Sequence, residues 1–137
     1  PISYNPFNMS GKFQYSRHYT LEEARSLIPQ IKAWLDEINT LSLEQEECRN
    51  WQQAMFEQGH DLGGAQVEGE VKNLNRLMQI LKEFQSRGIL IRDLSRGLVD
   101  FPSIMGGEEA FLCWESGQTD IIYWHALGAD QGDRKPV

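Results

Sequence analysis

Cys113 and His125 are a thiol and a base on neighbouring apolar segments, the pairing in this chain with the clearest chemical potential. A base within hydrogen-bond reach of a thiol can take its proton and create a nucleophile. The spacing argues against it. Ser116-Gly117 lies between the two segments and suits a tight hairpin turn. A two-residue turn sets Cys113 opposite Asp120 and His125 opposite Glu108; a three-residue loop with a glycine bulge sets them opposite Thr119 and Gly107. Either register leaves five or six residues of ladder between thiol and imidazole, roughly 17–20 Å. Cys113 is then expected to be a small buried hydrophobe.

A metal centre needs three or four converging donors. The histidines, His18, His60 and His125, fall in three separate segments, and the chain has no Cys pair and no His-x₃-His spacing. No metal and no other cofactor is therefore expected. Gly-rich phosphate loops, Walker sequences and nucleophile elbows are also missing, so no catalytic residue is assigned.

One polar cluster survives. If the C-terminal strands form a meander, Asp100 pairs near Ala110 and His125 lies across from Glu108 or Gly107. Asp100, Glu109 and His125 would gather toward one end of the sheet, with Arg134 folding back from the tail. Such a group can bind a ligand, exchange protons, or hold its own members in place. The competing reading has Asp100 serving backbone amides beside Pro102. Arg92, Asp93 and Arg96 read as a solvated turn. Phe101, Phe111, Trp114, Tyr123 and Trp124 read as core, because aromatic residues favour strands for packing reasons alone.

The elements that must position these residues are legible from period and punctuation. Residues 1–18 form an N-terminal arm in which Phe13 and Tyr15 alternate with polar neighbours, as in a short strand. Thr20-Leu21-Glu22-Glu23 is a capping box that starts a helix. Ala24, Leu27, Ile31, Trp34, Ile38 and Leu41 then recur at spacings of three and four, with a kink expected near Pro29 or a short helix feeding a longer one. Gly59, Gly63 and Gly64 end it, with His60 and Asp61 in the loop. A second helix over about 65–87 carries Val67, Val71, Leu74, Met78 and Leu81 as its stripe, backed by Leu77, Ile80 and Phe84. The two helices should pair as an antiparallel hairpin.

Beyond Gly88 the period changes to that of strands, over 89–93, 98–101 (stopped by Pro102), 109–114 and 119–125, before an irregular tail. The expectation is an α+β fold: a long antiparallel helical hairpin followed by a three- to four-stranded antiparallel β-meander, with 19–137 as a single domain. The last two strands are apolar on both faces, so the face away from the helices needs a cover from the arm, the tail or a second copy.

At 137 residues the chain suits one domain with its own core. Twenty acidic against thirteen basic residues give a net charge of −7. That balance opposes nucleic-acid partners and anionic membrane surfaces. No apolar run reaches the length of a membrane span, and two cysteines do not make a secreted disulfide framework, so the expected address is cytoplasmic.

From Tyr19 onward the chain resembles a bacterial family catalogued as domain of unknown function 2203. The matching segments are Tyr19-Thr20-Leu21-Glu22-Glu23-Ala24 with Leu27-Ile28-Pro29, and Gly97-Leu98-Val99-Asp100-Phe101-Pro102. Leu112-Cys113-Trp114 and Trp124-His125 follow, with Gly132, Arg134 and Pro136 behind. Family members tend to have Gly-Glu where this chain has Gly117-Gln118. The resemblance implies no activity. Three readings stand in order: a non-enzymatic interaction or assembly protein, as a homodimer or higher homo-oligomer presenting a surface to an unidentified protein partner; a small-ligand-binding domain using Asp100, Glu109, His125 and Arg134; an enzyme of unrecognised type.

Overall fold

In the computed structural model, which describes residues 13–59, 64–129 and 131–137, the capping box at Thr20 is complete. The Thr20 hydroxyl accepts from the Glu23 amide at 3.1 Å, and the Glu23 carboxylate accepts from the Thr20 amide at 2.9 Å. Helix α1 (Leu21–Glu57) follows, 37 residues long and therefore about 55 Å from end to end. It runs through Pro29 as one element. Proline removes a single amide from the ladder, and Ala24 and Ile31, buried on either side of it, hold the helix to the core. The loop expected at His60 and Asp61 lies outside the described residues.

Helix α2 (Gly64–Arg87) returns antiparallel to α1. Trp34 packs on Phe84 with centroids 5.5 Å apart, and cross-helix bonds join Glu37 to Arg76, Glu44 to Asn73 and Gln52 to Glu70. The stripe that α2 buries differs from the expected one. Ile80 and Phe84 are buried, with Leu77 packed against them, whereas Val71, Leu74, Met78 and Leu81 are exposed. Both sets have helical spacing, so period alone could not say which would face α1. Gly88, at φ +70°, ends α2. The Ile89 amide bonds the Phe84 carbonyl and the Gly88 amide bonds the Gln85 carbonyl, closing a Schellman motif.

Five antiparallel strands complete the fold: β1 (Leu90–Asp93), β2 (Leu98–Met105), β3 (Glu108–Glu115), β4 (Tyr123–Ala126) and β5 (Lys135–Pro136). They lie side by side in chain order, a pure meander. Pro102 does not stop β2. The β1–β2 pairing begins only at Asp100, so beyond that residue β2 is locally an edge, where a missing amide does no harm. The connection between β3 and β4 spans residues 116–122 instead of two or three, and the tail contributes β5. Residues 13–18 form no strand; Tyr15 is nonetheless buried.

Val99, Phe101, Leu112, Trp114 and Ile121 join Ile31, Trp34, Leu35 and Ile38 in the core beneath the helices. Strand alternation turns Asp100, Phe111, Cys113 and His125 to the other face, yet these are buried too. The arm and the tail both contribute cover: Tyr15 sits edge-on to Phe111 at 5.4 Å, and the Arg134 guanidinium lies 4.9 Å from the Tyr123 ring. Tyr19 fixes the passage from arm to α1. Its amide bonds the Pro102 carbonyl, its carbonyl accepts from the Ser103 hydroxyl, and its own hydroxyl donates to the Arg87 carbonyl. Among the described residues, no helix is long and apolar enough to cross a membrane.

Candidate functional site

Three adjacent strands bring Asp100, Cys113 and His125 to one point. Asp100 pairs directly with Cys113, and His125 pairs with Phe111, two residues from Cys113 on the same face. The Cys113 sulfur, an Asp100 carboxylate oxygen and a His125 ring nitrogen all lie within 4.8 Å of one another. The expected gap of roughly 17–20 Å is overturned, and so is the pairing of Asp100 near Ala110. The second follows from β2 running past Pro102 to turn at Gly106-Gly107, and the first from the longer β3–β4 connection. With residues 116–122 outside the ladder, Cys113 pairs with Tyr123 and not Asp120 or Thr119, so His125 falls much nearer to it along the sheet.

That connection has its own logic. The Trp114 indole donates to the Gln118 carbonyl, the Glu115 amide to the Gln118 side-chain oxygen, and Arg25 of α1 pairs with Asp120. Ile121 is then buried under the helices. A tight turn at Ser116-Gly117 would forgo these anchors.

The cluster is dry. The Asp100 and His125 side chains are 0% and 3% exposed, and Cys113 is buried. Asp100 Oδ2 accepts from Arg92 Nε at 2.9 Å and lies 3.0 Å from His125 Nε2. His125 Nδ1 lies 3.1 Å from the Ala126 carbonyl oxygen. A carbonyl only accepts, so the Nδ1 proton belongs to that bond and Nε2 is the nitrogen turned to Asp100. Burial above all, then the charge and hydrogen bond of Asp100, push the Cys113 thiol up to about 12 against the opposing pull of Arg134. Near neutral pH the thiol keeps its proton, so nearness to His125 does not make it a nucleophile.

Arg134 comes back from the tail to lie over the Tyr123 ring, and its positive charge favours the thiolate form of Cys113. Glu109 is employed elsewhere. Its carboxylate accepts from the Gln14 amide at 2.6 Å and the Tyr15 amide at 2.9 Å, and meets the His18 ring at 2.9 Å. Burial works to raise the Glu109 carboxyl, but the Gln14 amide, the His18 ring and the Tyr15 amide together outweigh it and leave it below the ordinary range. Glu109 clamps the arm, while Asp100, His125 and Arg134 meet around Cys113.

Two members of the cluster, Arg92 and Cys113, were assigned by sequence to a solvated turn and to packing. The β1–β2 register skips between Ile91 and Asp93, leaving Arg92 as the extra residue of a bulge, and bulges re-aim side chains. No local sequence signal marks it. Asp93 and Arg96 do belong to the turn, Asp93 accepting from the Ser95 and Arg96 amides and Arg96 pairing with Glu115.

The model of one protein family, described as an uncharacterized conserved protein (DUF2203), matches residues 17–137. The chain belongs to the DUF2203 family. No curated protein and no solved structure matches it. The segments that carry the family resemblance are also those that build the cluster: Gly97–Pro102 supplies Asp100 and Leu112-Cys113-Trp114 the thiol, while Trp124-His125 and Arg134 complete it. In this DUF2203 chain Gln118 serves the turn through its side-chain oxygen.

Proposed function

We propose that this DUF2203 domain is a non-enzymatic assembly protein whose copies pair through α2 about a two-fold axis. One observation carries the reading. Val71, Leu74, Met78 and Leu81 follow the three- and four-residue spacing of a helix-pairing seam, yet are 37–61% exposed. They lie roughly a third of a turn around α2 from Ile80 and Phe84, which face the core. A continuous apolar stripe on a charged surface marks an interaction site.

The occupant that fits is a second copy. In an antiparallel pairing centred between Leu74 and Met78, Val71 meets Leu81 of the second copy and Leu74 meets its Met78. The same register sets exposed Lys82 against Glu68 of the second copy and Asn75 against its own counterpart, so charge and apolar surface match themselves. Two cysteines that form no disulfide with each other and an acidic composition fit a reducing, cytoplasmic setting for such an assembly.

Sedimentation equilibrium on the untagged protein tests the pairing. A mass twice 15.8 kDa that drops to the single-chain value in the Leu74→Asp, Met78→Asp double variant, with helix content unchanged, supports it. Wild-type protein that stays at the single-chain mass at high micromolar concentration sinks it.

A further inference from the structure

We propose that Asp100, Cys113 and His125 form a binding site for one transition-metal ion of the zinc type. This goes beyond the pairing of copies and does not depend on it. The three donors are a thiol sulfur, an imidazole nitrogen and a carboxylate oxygen, contributed by three neighbouring strands and lying within 4.8 Å of one another. A zinc ion at about 2.0–2.3 Å from each donor spans such a set. Sulfur and imidazole favour zinc-like ions over magnesium or calcium, which seek oxygen alone.

The orientation of His125 is the second observation. Its Nδ1 is spent on the Ala126 carbonyl at 3.1 Å, which leaves Nε2 directed at Asp100 Oδ2, 3.0 Å away. A bare nitrogen lone pair facing a carboxylate oxygen is repulsive, so either a proton or a cation must lie between them. A histidine that donates Nδ1–H to a backbone carbonyl and offers Nε2 is the usual outer-shell arrangement of a metal-bound imidazole.

Arg92 and Arg134 bring positive charge beside the site, which opposes a bare cation. Arg92 does so by hydrogen-bonding a ligand side chain, Asp100, the role that outer-shell groups play in orienting ligands, and Arg134 lies over Tyr123, the residue paired with Cys113. Binding displaces the Cys113 thiol proton to solvent, and carboxylate and thiolate then neutralise a divalent ion between them. The two guanidinium groups then favour hydroxide or another small anion in the fourth tetrahedral position.

Cobalt(II) titration of the untagged, chelator-treated full chain tests the site. The expected result is one equivalent bound with a sulfur-to-cobalt charge-transfer band, bleached by one equivalent of zinc(II). With only two cysteines in the chain, Cys48→Ser leaves Cys113 as the sole thiol, and the band must survive in that variant. His125→Gln is expected to weaken cobalt binding at least about tenfold, while His18→Gln leaves it unchanged. Folded wild-type protein that shows no charge-transfer band overturns the proposal, with a proton then holding His125 to Asp100. A band lost in Cys48→Ser overturns it equally, because Cys48 would be the ligand.

Discussion

His125 Nε2 lies 3.0 Å from Asp100 Oδ2 across two ladders of the sheet, over the strand β3 on which Cys113 pairs with Asp100 and Phe111 with His125. The same Asp100 oxygen takes the Arg92 guanidinium, so a fully buried carboxylate is held between a ring and a cation. Removing Asp100 takes the carboxylate from the buried His125 ring, while the Arg92 side chain, 39% exposed, can turn to water. The cost is that of an unsatisfied buried polar group, about 1–3 kcal/mol, and not that of a stranded buried charge. Asp100→Ala in metal-free protein is therefore expected to lose stability on that scale in urea denaturation. A loss below about 1 kcal/mol, the range of an exposed pair, would show that water reaches the site.

The two cysteines should react very differently with a thiol reagent. Cys48 is half-buried on α1, whereas Cys113 is buried and its thiol is pushed up to about 12, chiefly by burial. In native protein near neutral pH, one thiol is expected to label quickly and the other only on unfolding. Peptide mapping of the fast site identifies it; rapid modification of Cys113 would contradict the buried geometry.

Acid should release the arm. The Glu109 carboxyl sits below its ordinary range because the Gln14 amide, the His18 ring and the Tyr15 amide outweigh the effect of burial. A depressed carboxyl stabilises the folded state above its unfolded value and loses that contribution as pH falls through the folded one. The clamp is therefore intact at neutral pH and fades on the acid side of the usual carboxylate range. NMR of the Tyr15 ring, which packs on Phe111, should report the change at low pH. In Glu109→Gln the ring should already be displaced at neutral pH; an undisturbed ring there would show that the clamp is incidental.

Gly97 cannot accept a side chain. Its φ is +66°, and a Cβ built there falls 2.5 Å from Ser116 Cβ. The Ser116 amide bonds the Gly97 carbonyl, which keeps the two backbones close. Left-handed backbone alone costs an L residue roughly 1–2 kcal/mol, and the clash adds to it. Gly97→Ala should lower the thermal midpoint by more than Gly59→Ala, where φ is also positive but the space is open. Equal shifts at the two positions would mean that the Ser116 contact relaxes freely.

Much of the fold was legible because it rests on local rules. Thr20 to Glu23 is a capping box that needs no tertiary contact, Gly88 ends α2 as a left-handed residue should, and the meander follows from short connections. What escaped was decided by distant partners. Which of two helical stripes α2 buries depends on where Trp34 and the sheet lie. The length of the β3–β4 connection depends on Arg25 reaching Asp120 and on a pocket for Ile121. That one register decided whether Cys113 and His125 could meet. Asp100, His125 and Arg134 were named from type and strand position, but Arg92 needed a bulge that no residue pattern announces.

The burial along α1 carries a consequence for how the molecule comes apart. Its buried side chains run from Ala24 to Leu41; from 42 to 57 none is buried. The sheet-proximal half is locked into the core, while the outer half of the hairpin depends on thin contacts such as Gln52 with Glu70 and Glu44 with Asn73. Helix held by so little apolar burial opens below the global unfolding energy. Amide exchange should accordingly divide α1 near Leu41 into a slow segment and a fast one. The α2 stripe straddles that division, with Val71 and Leu74 beside the outer half and Met78 and Leu81 beside the inner one, so pairing of copies would also slow the fast segment as protein concentration rises. The outer half of α1 would then act as a gauge of how much of the protein is assembled.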